Sequence, residues 1–93
     1  MEKMLQIQEL CPLTERTYTD KNGQPKVFAS RGVVLTNGID SFYAELTEDL
    51  ARRTDFKAGE MRYWRIECTT RRYADKNGVQ RFSNEFYVRR VSL

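Results

Sequence analysis

A six-residue phrase written twice constrains this chain more than any other feature of it. Tyr18-Thr19-Asp20-Lys21-Asn22-Gly23 returns as Tyr73-Ala74-Asp75-Lys76-Asn77-Gly78. Arg16 and Arg71 precede the two tyrosines at the same offset, and Lys26 and Arg81 follow the two glycines at the same offset. Asn-Gly suits a tight turn because both residues tolerate positive φ. Asp20 and Asp75 suit the shaping of such turns through Asx-type hydrogen bonds. Strand-like sequence flanks each phrase, so each is expected at the tip of a β-hairpin. Similarity does not extend beyond the phrase and its flanks, which favours convergence on one useful turn over duplication of a larger unit.

The alternation of apolar and polar residues supplies the rest of the element order. Met4 to Gln8 reads as a first strand with Leu5 and Ile7 on one face, ended by Pro12. Residues 12–25 read as a long polar connection holding the first phrase. Val27 to Leu35 is the second strand, with Val27, Ala29, Val33 and Leu35 on one face and Lys26, Phe28 and Ser30 on the other. Thr36-Asn37-Gly38-Ile39 signals a tight hairpin into a third strand, Ile39 to Leu46. Thr47 suits a helix N-cap, with Glu48 and Asp49 in a favourable first turn and Leu50 and Ala51 on an apolar side. That helix ends near Thr54. Glu60 to Tyr73 is the fourth strand, with Trp64, Ile66 and Cys68 on one face and Tyr63, Arg65, Arg71 and Tyr73 on the other. Arg81 to Val91 is the fifth, with Phe82, Phe86 and Val88 opposite Arg81, Tyr87 and Arg89. Its parity slips near Arg90, because Val91 falls on the other phase.

Three strands, a short helix and two strands match the OB-fold, an all-β, five-stranded Greek-key barrel with a helix between strands 3 and 4. The loops joining strands 1–2 and 4–5 flank the ligand groove of that barrel. The two phrases fall on those loops, and are expected on one rim. With 93 residues the chain is expected to be a single domain, 1–93, with a modest core that a second copy would supplement.

Histidine is absent, which removes most zinc sites and every Ser-His or Cys-His arrangement. Cys11 and Cys68 lack metal-ligand spacing and read as small, buried, reduced residues. Glu48-Asp49 is better explained as helix-start charge than as a metal site. No metal, cofactor or catalytic residue is expected, and an enzyme, such as a nuclease, is disfavoured. There is no apolar run of about 18 residues and no signal-peptide pattern, so a cytoplasmic location is expected. Net charge is only +3 but is unevenly divided. Residues 1–51 carry five basic and eight acidic side chains, and residues 52–93 carry eleven basic and five acidic ones. A positive second half points to an anionic partner, nucleic acid first.

From Thr70 to Val88 the chain reads Thr-Arg-Arg-Tyr-Ala-Asp-Lys-Asn-Gly-Val-Gln-Arg-Phe-Ser-Asn-Glu-Phe-Tyr-Val. This resembles the bacterial single-stranded DNA-binding proteins, whose pattern here is Thr-Arg-x-aromatic-x-Asp, a Gly-containing turn, Arg-aromatic, then Glu before a β run. Upstream, Phe56-Lys57-Ala58-Gly59 resembles the apolar-basic-x-Gly step that follows the family's short helix. The resemblance spans about residues 47–90 and is thinner before them. It implies base stacking for Tyr73 and backbone contacts for Arg71 and Arg72. The family's extended second hairpin, with its stacking tryptophans, has no counterpart in residues 36–40, and its acidic C-terminal tip is not matched, so recruitment of other replication proteins is not implied. A primosomal protein on the same fold and small OB-like proteins of mobile elements are further neighbours.

Single-strand binding needs a basic groove for phosphates and aromatic faces for bases. Tyr73, Tyr18, Phe28 and Tyr87 are the stacking candidates, with Tyr63 behind them; cross-strand pairing or a dimer contact is the plainer reading of each. Arg71, Arg72, Lys76, Arg81 and Arg89 are the phosphate candidates, joined by Lys21 and Lys26 from the first hairpin. A solvated charged face is the plainer reading of any one of them, as it is of Arg52-Arg53. Trp64 reads as core. The expectation is therefore a non-enzymatic single-stranded DNA (or RNA) binder serving replication, repair, recombination or mobile-element maintenance, and homo-oligomeric with a dimer favoured. The alternative is an OB-fold interaction module that binds no nucleic acid.

Overall fold

The computed structural model describes residues 1–92 and contains six strands and one short helix. They are β1 (Glu2–Leu10), β2 (Thr14–Thr19), β3 (Pro25–Thr36), β4 (Ser41–Thr47), α1 (Asp49–Arg52), β5 (Met61–Ala74) and β6 (Gln80–Ser92). One sheet holds all six in the order β1-β5-β6-β4-β3-β2, and an additional β1–β3 pairing joins β1, β5, β6, β4 and β3 into a ring that leaves β2 outside it. Every pairing is antiparallel except the closing β4–β6 contact, which is parallel at Glu45 and Tyr87. Among the described residues no helix is long and apolar enough to cross a membrane.

Alternation aims one face of each strand into the core. Leu5 and Ile7, Ala29, Val33 and Leu35, Ala44 and Leu46, Trp64 and Ile66, and Val88 are all buried, with Ala51 and Phe56 closing one side. Trp64 is fully buried and donates its indole N–H to the Leu5 carbonyl at 3.0 Å. A large aromatic is accommodated there because its one polar atom is satisfied. The parity slip in the last strand is a β-bulge: Arg65 pairs with Arg90, yet Ile66 pairs with Val88, so Arg89 is the extra residue. The bulge is what allows both Val88 and Val91 to face the core.

Several expectations are corrected. Residues 12–25 are not all connection: Thr14–Thr19 form β2, paired with β3 from Thr14↔Ser30 to Thr19↔Pro25. All six residues of β2 are exposed, so the strand has no buried apolar row to announce it. Pro12 breaks the path between β1 and β2, and the Cys11 N–H to Gly32 O bond (2.9 Å) ties that corner down. The third strand starts at Ser41, and Ile39 sits in the turn at 92% exposure. Thr47 ends β4 instead of capping the helix; Glu48 takes the cap position at φ 52°, with no side-chain cap bond. Cys11, between β1 and β2, is half-buried, and Cys68 is exposed because it lies where β5 runs past its pairing with β1. The same overrun exposes Phe82, while Val27 is exposed because it lies opposite Thr17 on the overhanging β2–β3 hairpin.

Arg62 was not anticipated in the core. It shares the inward row of β5 with Trp64 and Ile66, and its residue is 4% exposed. Its guanidinium donates to Glu60 Oε1 at 2.9 Å, Asp55 Oδ2 at 3.0 Å and the Asp55 carbonyl at 3.0 Å. It also lies 5.0 Å from the centre of the Phe56 ring, which stacks on Trp64. The connection between α1 and β5 is folded around this one cation.

Candidate functional site

The two phrases fold into the same turn. In each, the Asp carbonyl accepts from the Gly N–H (3.0 Å for Asp20–Gly23, 2.9 Å for Asp75–Gly78). In each, Asp Oδ1 accepts two backbone N–H bonds, from Asn22 and Gln24 or from Asn77 and Val79. Only the glycines have positive φ, 78° and 77°; Asn22 and Asn77 do not. The geometry is thus a three-residue loop with a left-handed glycine rather than a two-residue Asn-Gly turn. The repeated aspartate is the residue that specifies it.

One difference separates the copies. Arg81 Nε donates to Asp75 Oδ2 at 2.9 Å across the second hairpin. This bond, followed by the backbone N–H bonds from Val79 and Asn77, holds the Asp75 carboxyl below its usual range. Lys26 occupies the matching place in the first hairpin and makes no ion pair among the described residues.

The rows opposite the core join into one outer face. Across β2–β3 they run Tyr18↔Lys26, Arg16↔Phe28 and Thr14↔Ser30. Across β3–β4 they run Gly32↔Glu45 and Val34↔Tyr43, and Glu45 meets Tyr87 of β6. Across β6–β5 they continue as Tyr87↔Glu67, Glu85↔Thr69, Ser83↔Arg71 and Arg81↔Tyr73. β3 is antiparallel to β4 and β6 is parallel to it, so the two hairpin tips rise from opposite ends of β4. They flank its outer face, which corrects the expectation that they share one rim. The molecule is correspondingly broad and thin, 38 × 37 × 20 Å.

Of the nominated residues, this face gathers Tyr18, Lys26 and Phe28 from one hairpin, Tyr87 at the centre, and Arg71, Tyr73 and Arg81 from the other. Lys21 and Lys76 occupy the exposed tips. Arg89, at the bulge, is bound to Glu67 at 3.0 Å, and the pair holds the Glu67 carboxyl down. Arg72 departs from the group: it pairs with Phe82 on the opposite face, its guanidinium 5.7 Å from that ring. Arg71 and Arg72 therefore cannot act on the same side of the sheet. Arg71 itself lies 3.7 Å from Glu85, and Tyr87 donates its hydroxyl to Glu85 at 2.7 Å.

Three further residues belong to the face. Arg16 lies over the Phe28 ring at 5.5 Å. Tyr43 is 53% exposed and lies across Gly32, so close that a Cβ on Gly32 would sit 2.5 Å from its ring. Glu45 borders two recesses, one shared with Arg16, Phe28 and Ser30, the other with Tyr43, Glu85 and Tyr87. The alternation Phe42-Tyr43-Ala44-Glu45-Leu46 already carried this information, because Tyr43 and Glu45 are the outward residues of an otherwise buried row. A glycine inside a strand also marks close approach of another group. Gly32→Ala is expected to displace the Tyr43 ring and destabilise the fold by about 1–3 kcal/mol. A thermal melt of that variant indistinguishable from the parent protein would show that the ring moves aside freely.

A separate hollow of about 470 Å³ at the β6 bulge is lined by Arg65, Arg89, Arg90 and Glu67 among others. Among the described residues no group of three His, Cys, Asp or Glu side chains could hold a metal ion. Neither a protein-family model nor a curated protein matches the chain.

Proposed function

We propose that this chain is a non-enzymatic OB-fold protein that binds single-stranded nucleic acid, DNA first, on the outer face of its sheet. The ring of pairings supports the fold reading. β1 and β2 act as one long first strand broken at Cys11–Leu13, so six segments reduce to five, with the short helix between the third and the fourth.

The observation that carries the function is the composition of one continuous face. Tyr18, Phe28, Tyr43, Tyr87 and Tyr73 are interleaved on it with Arg16, Lys26, Arg71 and Arg81. Stacking contributes roughly 1–3 kcal/mol per base and tolerates any base, while the cations hold the phosphates. Arg71, Arg81 and Arg89 each already have a carboxylate partner, but exposed pairs of this kind contribute only about 0–1 kcal/mol and can exchange for phosphate.

Fluorescence titration with oligothymidylate tests the proposal. Binding in the micromolar range or tighter at low salt is expected, with affinity falling linearly on a log–log plot as salt rises, because phosphate neutralisation releases counterions. Absence of binding at low salt would overturn it. If the protein then proves dimeric by light scattering with Tyr73 protected, the interaction-module reading replaces it. Met4 and Met61 are more than half exposed and Tyr63 nearly two-fifths exposed beside them on β1–β5, which gives a second copy an apolar strip to cover.

A further inference from the structure

We infer that the groove prefers guanine among the bases and that Glu45 is the residue that sets this preference; the inference rests on the single-strand reading above. Glu45 stands at the centre of the outer face, opposite Gly32 on one side and Tyr87 on the other. It lines two recesses that adjoin β4. Among the described residues it makes no ion pair and accepts no hydrogen bond. Three neighbouring acids are occupied: Glu85 by the Tyr87 hydroxyl and Arg71, Glu67 by Arg89, Asp75 by Arg81. Glu9, opposite Val34 at the edge of the same face, is exposed to solvent instead. Gly32 has no side chain, and the Tyr43 ring lies over it, next to Glu45. One half-buried carboxylate at the centre of the face is thus left without a partner among the described residues.

An ionised carboxylate only accepts hydrogen bonds. Two tyrosine rings flank this one, Tyr43 two residues earlier on the same strand face and Tyr87 across the sheet. A base stacked on either ring turns its edge toward Glu45. In a single strand that edge is the free Watson–Crick edge. Guanine presents two adjacent donors there, N1–H and the N2 amino group, which match the two carboxylate oxygens. Adenine and cytosine present one amino group beside a bare ring nitrogen. Thymine and uracil place a carbonyl oxygen on each side of their single N–H, so a carboxylate repels both flanks. Stacking alone would not distinguish these bases.

The experiment compares oligothymidylate with strands of equal length carrying guanine, or inosine, at every third position. Guanine substitution should tighten binding about tenfold, the low end of what a bidentate base contact contributes. Inosine lacks the N2 amino group and should lose most of that gain. Glu45→Gln should lose the guanine preference, read as the ratio of its affinities for the guanine and thymine strands. Equal binding of the thymine and guanine strands overturns the inference while leaving the single-strand reading intact. A preference that survives in Glu45→Gln, or is unchanged with inosine, also overturns it. Failure of every strand to bind overturns the single-strand reading itself. The inosine arm changes only the ligand and so does not depend on the folding of any variant.

Discussion

Arg62→Ala should lower the stability of this protein by about 3 kcal/mol, because it removes one partner of a buried ionic cluster. For a chain of this length that is a fall in Tm of roughly 15 °C. The estimate takes the lower end of the usual range, since Asp55 and Glu60 are only partly covered and water can reach them once Arg62 is gone. Loss of the side-chain stem from beside Phe56 adds to the effect. Arg62→Met keeps that stem and removes only the charge, so it should fall between the parent and Arg62→Ala. Adding Glu60→Gln to Arg62→Met should return part of the loss, because the stranded carboxylate goes with it. Differential scanning calorimetry decides the matter, and a Tm change of only a few degrees for Arg62→Ala would mean the cluster is ornamental.

The same cluster fixes a pH dependence. Hydrogen bonds from Arg53, then Arg62, hold the Asp55 carboxyl well below the usual carboxylate range, and Arg62 does the same to Glu60. Both folded values lie below the unfolded ones, so the stabilisation is complete above the ordinary carboxylate range, about pH 4. It is lost as pH falls through that range toward the folded values. Stability should therefore decline on acidification. Arg62→Ala should show a shallower decline than the parent, because Glu60 loses the partner that depressed it.

Arg62 also marks the limit of what the residues could say in advance. The alternation on the fourth strand places Trp64 and Ile66 inward, and they are buried. It places Arg62 inward too, but a charge on an apolar row reads as an interruption until its partners are known. Those partners, Asp55 and Glu60, come from a connection that has no periodicity. β2 was hidden for the opposite reason: a strand exposed on both faces leaves no apolar row, and only its ladder to β3 defines it. The turns were legible because they are local. Asp, Asn and Gly within four residues determine their own hydrogen bonds, whatever the rest of the chain does. Tyr43 is legible by parity, as the outward aromatic between Phe42 and Ala44, but its position over Gly32 depends on the β3–β4 register, which is not local.

Tyr73→Ala should weaken oligonucleotide binding by about 1–3 kcal/mol, and Tyr18→Ala by distinctly less. The two rings are equally available, 44% and 46% exposed, so exposure does not separate them. What separates them is the support beneath. β5 and β6 run without a break from buried Ile66 and Val88 to their turn, and Arg81 fastens that turn to Asp75. Tyr73 lies directly opposite Arg81, so its backbone is held before a base arrives. β2 is cut off from β1 at Cys11–Leu13 and has no buried residue, and among the described residues no carboxylate is fastened to Lys26. Ordering a loose hairpin on binding consumes part of the stacking energy, which a preformed one keeps. Asp75→Asn should therefore weaken binding more than Asp20→Asn, although it removes a negative charge from beside the phosphates. A purely electrostatic groove predicts neither order: loss of an uncharged ring would change little in either hairpin, and each Asp→Asn change, by removing a negative charge, would tighten binding. Measuring the four variants against oligothymidylate at two salt concentrations separates the cases, since loss of a ring leaves the salt slope unchanged and loss of a phosphate contact lowers it.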